Sequence, residues 1–373
     1  MSFMSLMPYV LIPLYPYILN LPLFPLLCVF MKVLTPLLFP FSILYHAVTS
    51  IRNRLYDSGI RPSARFEVPV IGVGNLSVGG TGKTPMIEYL IRLLASEYHI
   101  ATLSRGYGRK TKGVRIANPG DTADTLGDEP FQFYRKFDDK VVVAVGEERV
   151  FAIPHILDQH PDTDLILLDD AFQHRSIQPS FQILLTDYNN LFIYDYLLPA
   201  GRLRESKAGA ARADVVLVTK CPANISEDEM IAIESSIRGY NNKAVFFTRI
   251  CYGNILPVID ISPYKPEKVI LVSGIANPAP LVEYLRQNVV LVKHFSYADH
   301  HAYSRRDIEI ICQAAAKANA AVVTTEKDAV KMDPEIFRHF SIPFHYLPIE
   351  IEFLKSGKEF DEMVLNAVRT YVK

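Results

Sequence analysis

The stretch VPVIGVGNLSVGGTGKT, residues 68–84, decides how the rest of the chain is read. Val70, Ile71 and Val73 form a β-branched apolar run. Gly74, Gly79, Gly80 and Gly82 then make a loop, and Lys83-Thr84 lead into MIEYLIRLLASE, which carries apolar residues at helical spacing. Strand, glycine loop and helix in that order suit a phosphate. Glycines let backbone N–H groups converge on an anion, the helix N-terminus adds the positive end of its dipole, and a lysine supplies a point charge. Ser77, Gly79, Gly80, Thr81 and Gly82 are expected to form the cradle. Lys83 is expected to reach the β- and γ-phosphates of a nucleotide, and Thr84 to place its hydroxyl on Mg²⁺. The strict pattern G-x-x-x-x-G-K-[ST] fails only at its first glycine, where Ser77 stands.

Working outward, further strands read at HIATLSRGY (99–107), VVVAV (141–145), LILLDDAFQH (165–174), FQILLTD (181–187) and ADVVLVTK (213–220), with helices between several of them. Continuous apolar runs of this kind fit strands buried on both faces of a parallel sheet. The spacing predicts an α/β fold: a P-loop NTPase-like, doubly wound, mostly parallel sheet whose ligands sit at the strands' carboxyl ends. AVFFTRICYGNILPV (244–258) reads as paired β segments joined at Gly253-Asn254. After Pro266 a second, smaller α/β unit follows, with strands at 269–273, 289–295 and 321–325 and a last helix at 359–372. The expected division is 1–55 for a membrane-associating segment, 56–255 for the P-loop core domain and 256–373 for the smaller α/β domain.

The first fifty residues carry one formally charged side chain, Lys32, amid Leu, Phe, Pro, Tyr and Ile. Such a segment favours lipid, yet Pro8, Pro13, Pro16, Pro22, Pro25, Pro36 and Pro40 interrupt it, so interfacial or kinked helices are expected rather than one clean span. An amphipathic helix is expected over 40–59. Arg52, Arg54, Arg61 and Arg65 flank the apolar part and would face anionic head groups on the cytoplasmic side. A secretory signal is disfavoured because no basic region precedes the apolar run. Met31 is a candidate start, with residues 1–30 an upstream extension.

The formal net charge of −1 supplies no field for nucleic acid. Cys28, Cys221, Cys251 and Cys312 are scattered without metal-ligand spacing, which argues against a disulfide framework or a zinc site. GRKTKGVR (108–115) is a basic excursion, either a solvated turn or a hold on an anionic substrate. Asp169 and Asp170 end a buried strand, where a carboxylate can hold Mg²⁺. Asp128-Glu129 is an acidic pair placed to accept a hydroxyl proton, and Asp299-His300-His301 is a histidine cluster that could tune a catalytic aspartate.

GNLSVGGTGKTP, LSRGYGR, GDEP, DDAFQH, LLPAGRLRE, SGIANP, DHHAY and TTEKDAVK, in this order, resemble the tetraacyldisaccharide 4'-kinase family from about Leu34 to the C-terminus. The resemblance implies ATP- and Mg²⁺-dependent transfer of a γ-phosphate to the 4'-hydroxyl of an acylated glucosamine disaccharide 1-phosphate, at the cytoplasmic face of a bacterial inner membrane. It implies Asp128 as general base assisted by His300, and Lys83 and Thr84 on the phosphates and Mg²⁺. Asp169, Asp170 and Glu205 become metal-side carboxylates, with Glu129, His174 and Arg204 near the metal or the transferring phosphate. The membrane surface and the lipid are the expected partners, with no protein partner and no nucleic acid. The rival readings are a dethiobiotin-synthetase-like ligase and a P-loop ATPase acting as a metal-insertion chaperone.

Overall fold

The computed structural model describes residues 24–258 and 266–371, with side chains from Leu37 onward. The expectations for residues 1–23, and hence most of the proposed upstream extension, fall outside the described residues. Two compact units divide the chain: Val29–Cys251 together with Ile351–Lys373 form the larger, and Tyr252–Glu350 belong to the smaller.

The strands, in chain order, are β1 (Val70–Asn75), β2 (Ile100–Ser104), β3 (Arg115–Ile116), β4 (Val141–Val145), β5 (Leu165–Asp169), β6 (Phe181–Asp187), β7 (Val215–Thr219), β8 (Ala244–Tyr252), β9 (Leu256–Pro257), β10 (Lys268–Ser273), β11 (Val290–Ser296), β12 (Ala321–Thr325), β13 (Phe344–Leu347) and β14 (Ile349–Phe353). One sheet has the order β14-β8-β7-β6-β1-β5-β2-β4-β3. From β8 through β4 every pairing is parallel, and β3 closes the edge antiparallel. Strands β1, β5 and β7 are buried at every position, as their unbroken apolar sequences require. β1 is central: β5, β2 and β4 lie on one side and β6, β7 and β8 on the other. The carboxyl end of β1 is therefore the switch point at which an open α/β sheet leaves a crevice for a ligand.

Helix α1 (Phe24–Asp57) precedes the sheet, and α2 (Lys83–Leu94) packs Met86, Ile87, Leu90, Ile91 and Leu94 against it. Next come α3 (Ala123–Leu126), α4 (Asp128–Phe137), α5 (Arg149–Gln159) and α6 (Glu227–Arg238). The smaller unit holds α7 (Ala279–Asn288), α8 (Arg305–Ala318), α9 (Glu326–Ala329) and α10 (Pro334–His339), and α11 (Gly357–Tyr371) ends the described chain. Phe360, Val364 and Val368 of α11 share the core of Ile71 and Leu90, and Tyr89 donates to Asp361 at 2.7 Å. That stripe explains why the last helix belongs to the larger unit and not to a domain running from 256 to 373.

The expected pairing within 244–258 is corrected by the sheets. β8 runs parallel to β7, whereas β9 pairs antiparallel with β13 in a second sheet of order β11-β10-β12-β13-β9. The Gly253-Asn254 step thus passes the chain from one sheet to another instead of closing a hairpin. In the smaller unit the carboxyl ends of β10 and β12 are tied through Asp328, which accepts from the Gly274 N–H and the Thr325 hydroxyl, both at 2.8 Å. Lys331 Nζ lies 2.7 Å from the same carboxylate.

Helix α1 is continuous through Pro36 and Pro40, contrary to the expected interruption. Its polarity is inverted relative to a surface helix. Ser42, Tyr45, Thr49 and Asn53 recur at helical spacing on the inward face: Ser42 donates to the Leu197 carbonyl at 3.0 Å, Tyr45 to the Arg204 carbonyl at 2.8 Å and Asn53 to Glu205 at 2.8 Å. Leu37, Phe41, Ile43, Leu44, Val48 and Ile51 are all exposed. Among the described residues no helix is long and apolar enough to cross a membrane.

Candidate active site

The glycine loop leaves β1 and enters α2 at Gly82, whose φ of 85° is a left-handed conformation open to glycine at little cost. Gly74 serves a different need. A Cβ there would stand 2.8 Å from the Phe172 backbone nitrogen, so this glycine lets the turn after β5 lie against β1 instead of facing a phosphate. The 202–204 segment runs along the outside of the loop: Val78 N donates to the Arg202 carbonyl at 2.8 Å, and Arg204 N to the Leu76 carbonyl at 2.7 Å.

β5 delivers two carboxylates with opposite characters. Asp170 has a positive φ of 48°, and Arg204 Nη1 donates to both its oxygens at 3.0 and 2.9 Å, while Lys83 Nζ stands 3.6 Å away. Burial alone would raise its carboxyl, but Lys83 and Arg204 prevail and hold it at about 2. Asp169 is buried; its Oδ2 has a 3.4 Å contact from the Ser104 hydroxyl, and its Oδ1 has no hydrogen-bond partner among the described residues. Burial, and then the charge of Glu129, push it up to about 7, with Lys83 opposing. A buried carboxylate oxygen left without a donor is costly, and a cation relieves that cost.

The GDEP stretch forms the first turn of α4, with Gly127 as its N-cap, so Asp128 and Glu129 sit at the positive end of the helix dipole and not on a loop. The Asp124 carbonyl accepts Lys110 N at 2.7 Å and the Thr125 carbonyl accepts the Thr111 hydroxyl at 2.6 Å, tying this helix start to the loop after β2. Glu129 is near enough for its charge to raise the Asp169 carboxyl. On α2, the buried Glu88 accepts from Gln132 at 2.8 Å and Lys136 at 2.7 Å of α4, which links the helix carrying Lys83 to the helix carrying Asp128.

His174 lies behind Asp169. Arg149 Nη1 is 3.5 Å from its Nδ1, and burial, then Arg149 and Arg105, push the imidazole down to about 4, so it is neutral at pH 7. Arg149 itself donates to the Asp169 carbonyl at 3.2 Å and is nearly inaccessible. Sequence reasoning missed Arg149 and Ser104. The available signal was position alone: Ser104 ends β2, and Arg149 opens the helix that follows β4, both toward the carboxyl edge of the sheet.

Glu205, expected on the metal side, is fully buried with both oxygens engaged: Oε2 by Asn53 at 2.8 Å, and Oε1 by Gln173 at 3.1 Å and Arg212 at 2.9 Å. It joins α1 to the back of the site, and Gln173 links it onward to Arg204 at 3.2 Å. The basic excursion at 108–115 is largely neutralised internally, since Arg109 meets Glu147 and Arg115 meets Asp121, each at 2.6 Å, and Lys110 meets Asp124 at 2.6 Å. His300 belongs to the smaller unit. There Lys327 Nζ lies 3.1 Å from its Nε2 and 3.3 Å from Asp299, and its φ of 59° marks a constrained turn. His301 stacks on Tyr297 with ring centroids 4.5 Å apart.

The model of the tetraacyldisaccharide-1-P 4'-kinase family matches residues 34–369. The tetraacyldisaccharide 4'-kinase of Flavobacterium psychrophilum is 47% identical over 347 residues, covering 91% of this chain and 98% of its own length. Its counterpart from Bacteroides thetaiotaomicron is 43% identical over 354 residues, covering 89% and 93%. Among solved structures, LpxK from Aquifex aeolicus in complex with ATP matches with a TM-score of 0.72 at 28% identity, covering 90% of this chain and 99% of that one. The glycine cradle, the paired carboxylates of β5 and the GDEP helix all lie inside the matched span, and the chain belongs to the tetraacyldisaccharide-1-P 4'-kinase family.

Proposed function

We propose that this protein transfers the γ-phosphate of ATP to the 4'-hydroxyl of a tetraacyl glucosamine disaccharide 1-phosphate, giving the 1,4'-bisphosphate. The observation that carries the reading is the meeting of Lys83, Asp170 and Arg204 beside the buried, underbonded Asp169 at the mouth of the glycine loop. In phosphoryl transfer the protein's task is positioning and charge neutralisation, and these groups suit both. Lys83 is poised to exchange Asp170 for phosphate oxygens. Arg204 holds Asp170 in place as that exchange occurs, and Asp128 takes the proton of the acceptor hydroxyl. Arg149, itself against His174, braces Asp169 through its carbonyl, and Glu129 adds negative charge that favours positive charge there.

Mg²⁺ fits this donor set. Among the described residues no group of three or more His, Cys, Asp or Glu side chains could hold a metal alone, which suits a cation that shares its shell with phosphate oxygens and water. Thr84, Asp169 and Asp170 would hold it, with Glu205 behind them. When bound, it would neutralise charge on the transferring group.

Incubation of the purified protein in detergent with ATP, Mg²⁺ and the disaccharide 1-phosphate lipid is expected to yield the bisphosphate, and Lys83→Ala to abolish both product and tight nucleotide binding. ATP turnover of equal rate with and without the lipid would refute the kinase reading.

The inverted helix α1 supports a membrane-surface location at the cytoplasmic face of the inner membrane. Its apolar outer face offers area to lipid, while its inner face is fixed to the active-site loop through Tyr45 and Asn53. Replacing Leu44 and Val48 together by Asp is expected to release the protein from anionic vesicles in a flotation assay. Undiminished binding would place the contact elsewhere.

A further inference from the structure

The ends of β6 and β7 grip the glycine loop from the side away from β5. Thr219 Oγ1 donates to the Thr81 carbonyl at 2.9 Å and stands 3.2 Å from the Thr186 carbonyl. Lys220 Nζ donates to the Gly80 carbonyl, and its charge is anchored by Asp187 Oδ2 at 2.8 Å. This grip is built at a cost. Lys220 has a φ of 58°, which an L-residue rarely adopts, and the turn is enforced on both sides, by Tyr188 N on the Thr219 carbonyl and by Cys221 N on the Thr248 carbonyl, both at 2.9 Å. Thr219 itself is 1% exposed.

A trans peptide points its C=O and the following N–H to opposite sides. Fixing the Gly80 carbonyl toward Lys220 therefore turns the Thr81 N–H the other way, and fixing the Thr81 carbonyl on Thr219 does the same for the Gly82 N–H. These are the groups an anion cradle needs facing inward. A loop containing Gly79, Gly80 and Gly82 has more backbone freedom than most, so without the grip its peptide planes would have to be ordered at the moment of binding.

We propose that Thr219 and the Lys220–Asp187 pair are positioning residues that preorganise the phosphate cradle by holding two of its carbonyls outward. The proposal rests on the reading of residues 77–84 as that cradle. It implies a defect confined to phosphates: nucleotides with a β-phosphate should feel it, and those without should not.

The test is the affinity of Thr219→Val, Lys220→Met and Lys220→Arg for ATP, ADP and AMP by calorimetry, alongside the KM for the acceptor lipid. Thr219→Val keeps the buried volume and removes only the donor, so it reports even if Lys220→Met folds poorly. We expect Kd for ATP and ADP to rise about tenfold in Thr219→Val and Lys220→Met, the worth of one good hydrogen bond. AMP affinity and the lipid KM should stay within about twofold, and Lys220→Arg should recover most of the loss. Wild-type ATP and ADP affinity in both Thr219→Val and Lys220→Met would overturn the proposal, as would an equal loss for AMP or a parallel rise in lipid KM. Failure of the wild-type protein to bind ATP at all would instead overturn the cradle reading beneath it.

Discussion

Asp128→Asn is expected to lower kcat for lipid phosphorylation roughly 100- to 10,000-fold, the range associated with loss of a general base. The same change should leave the Kd for ATP within about threefold of wild type, because the carboxylate acts on the acceptor and not on the nucleotide. Asn keeps the size of the side chain and its place in the first turn of α4, so the Glu88 links from α2 to Gln132 and Lys136 survive and the helix stays where it is. Steady-state kinetics with both substrates varied, together with ATP calorimetry, separate the effects. A large loss of ATP affinity with little change in kcat would remove Asp128 from the role of base.

The second large effect is a stability gain coupled to a loss of function. Without a cation, Asp169 carries a carboxyl raised to about 7 with one oxygen unbonded. A carboxyl whose folded pKa lies above its unfolded value contributes stability that is full below about pH 4 and lost as pH rises through 7. Nucleotide-free Asp169→Asn should therefore be more stable than wild type at pH 8, by on the order of 3 kcal/mol, and the difference should shrink toward pH 5. Its kinase activity should be nearly abolished, since the neutral amide is a poor cation ligand. Glu205 behaves oppositely. Its replacement by Ala removes the buried acceptor shared by the partly exposed Arg212 guanidinium and the Asn53 and Gln173 amides, and is expected to cost about 2–3 kcal/mol of stability. Denaturant melts of the two variants at pH 5 and pH 8 check both signs. A destabilised Asp169→Asn would show that this carboxylate is a structural anchor and not a held-back ligand.

The contrast between those two acids also marks what could be read before the fold was known. Asp169 and Asp170 were legible because four buried apolar residues before an acid mean a strand ending at a ligand edge. β1, β4, β5, β6 and β7 were legible for the same reason: strands covered on both faces carry apolar residues without alternation. Glu205 gave no such local sign. Its neighbours in space, Asn53, Gln173 and Arg212, are scattered over 160 positions of sequence. Arg149 carried no local sign, and only the parallel order of β4, β2 and β5 brings it to the Asp169 carbonyl. β3 and β9 are two residues long and depend on their partners for existence, so no periodicity could announce them. Helix α1 is apolar in composition, but its inward Ser42, Tyr45 and Asn53 have meaning only against the 197–205 loop.

The central claim is that the glycine cradle and the β5 carboxylates hold a magnesium triphosphate so that Asp128 can deprotonate the sugar alcohol of a lipid. The most direct test is a crystal structure of the protein with a non-hydrolysable ATP analogue, Mg²⁺ and the acceptor lipid. The account predicts Mg²⁺ bound between the Thr84 hydroxyl, the phosphates and Asp169 or Asp170, with the Asp128 carboxylate within hydrogen-bond reach of the 4'-hydroxyl. A cation bound elsewhere, or an Asp128 carboxylate turned away from that hydroxyl in the ternary complex, would contradict it.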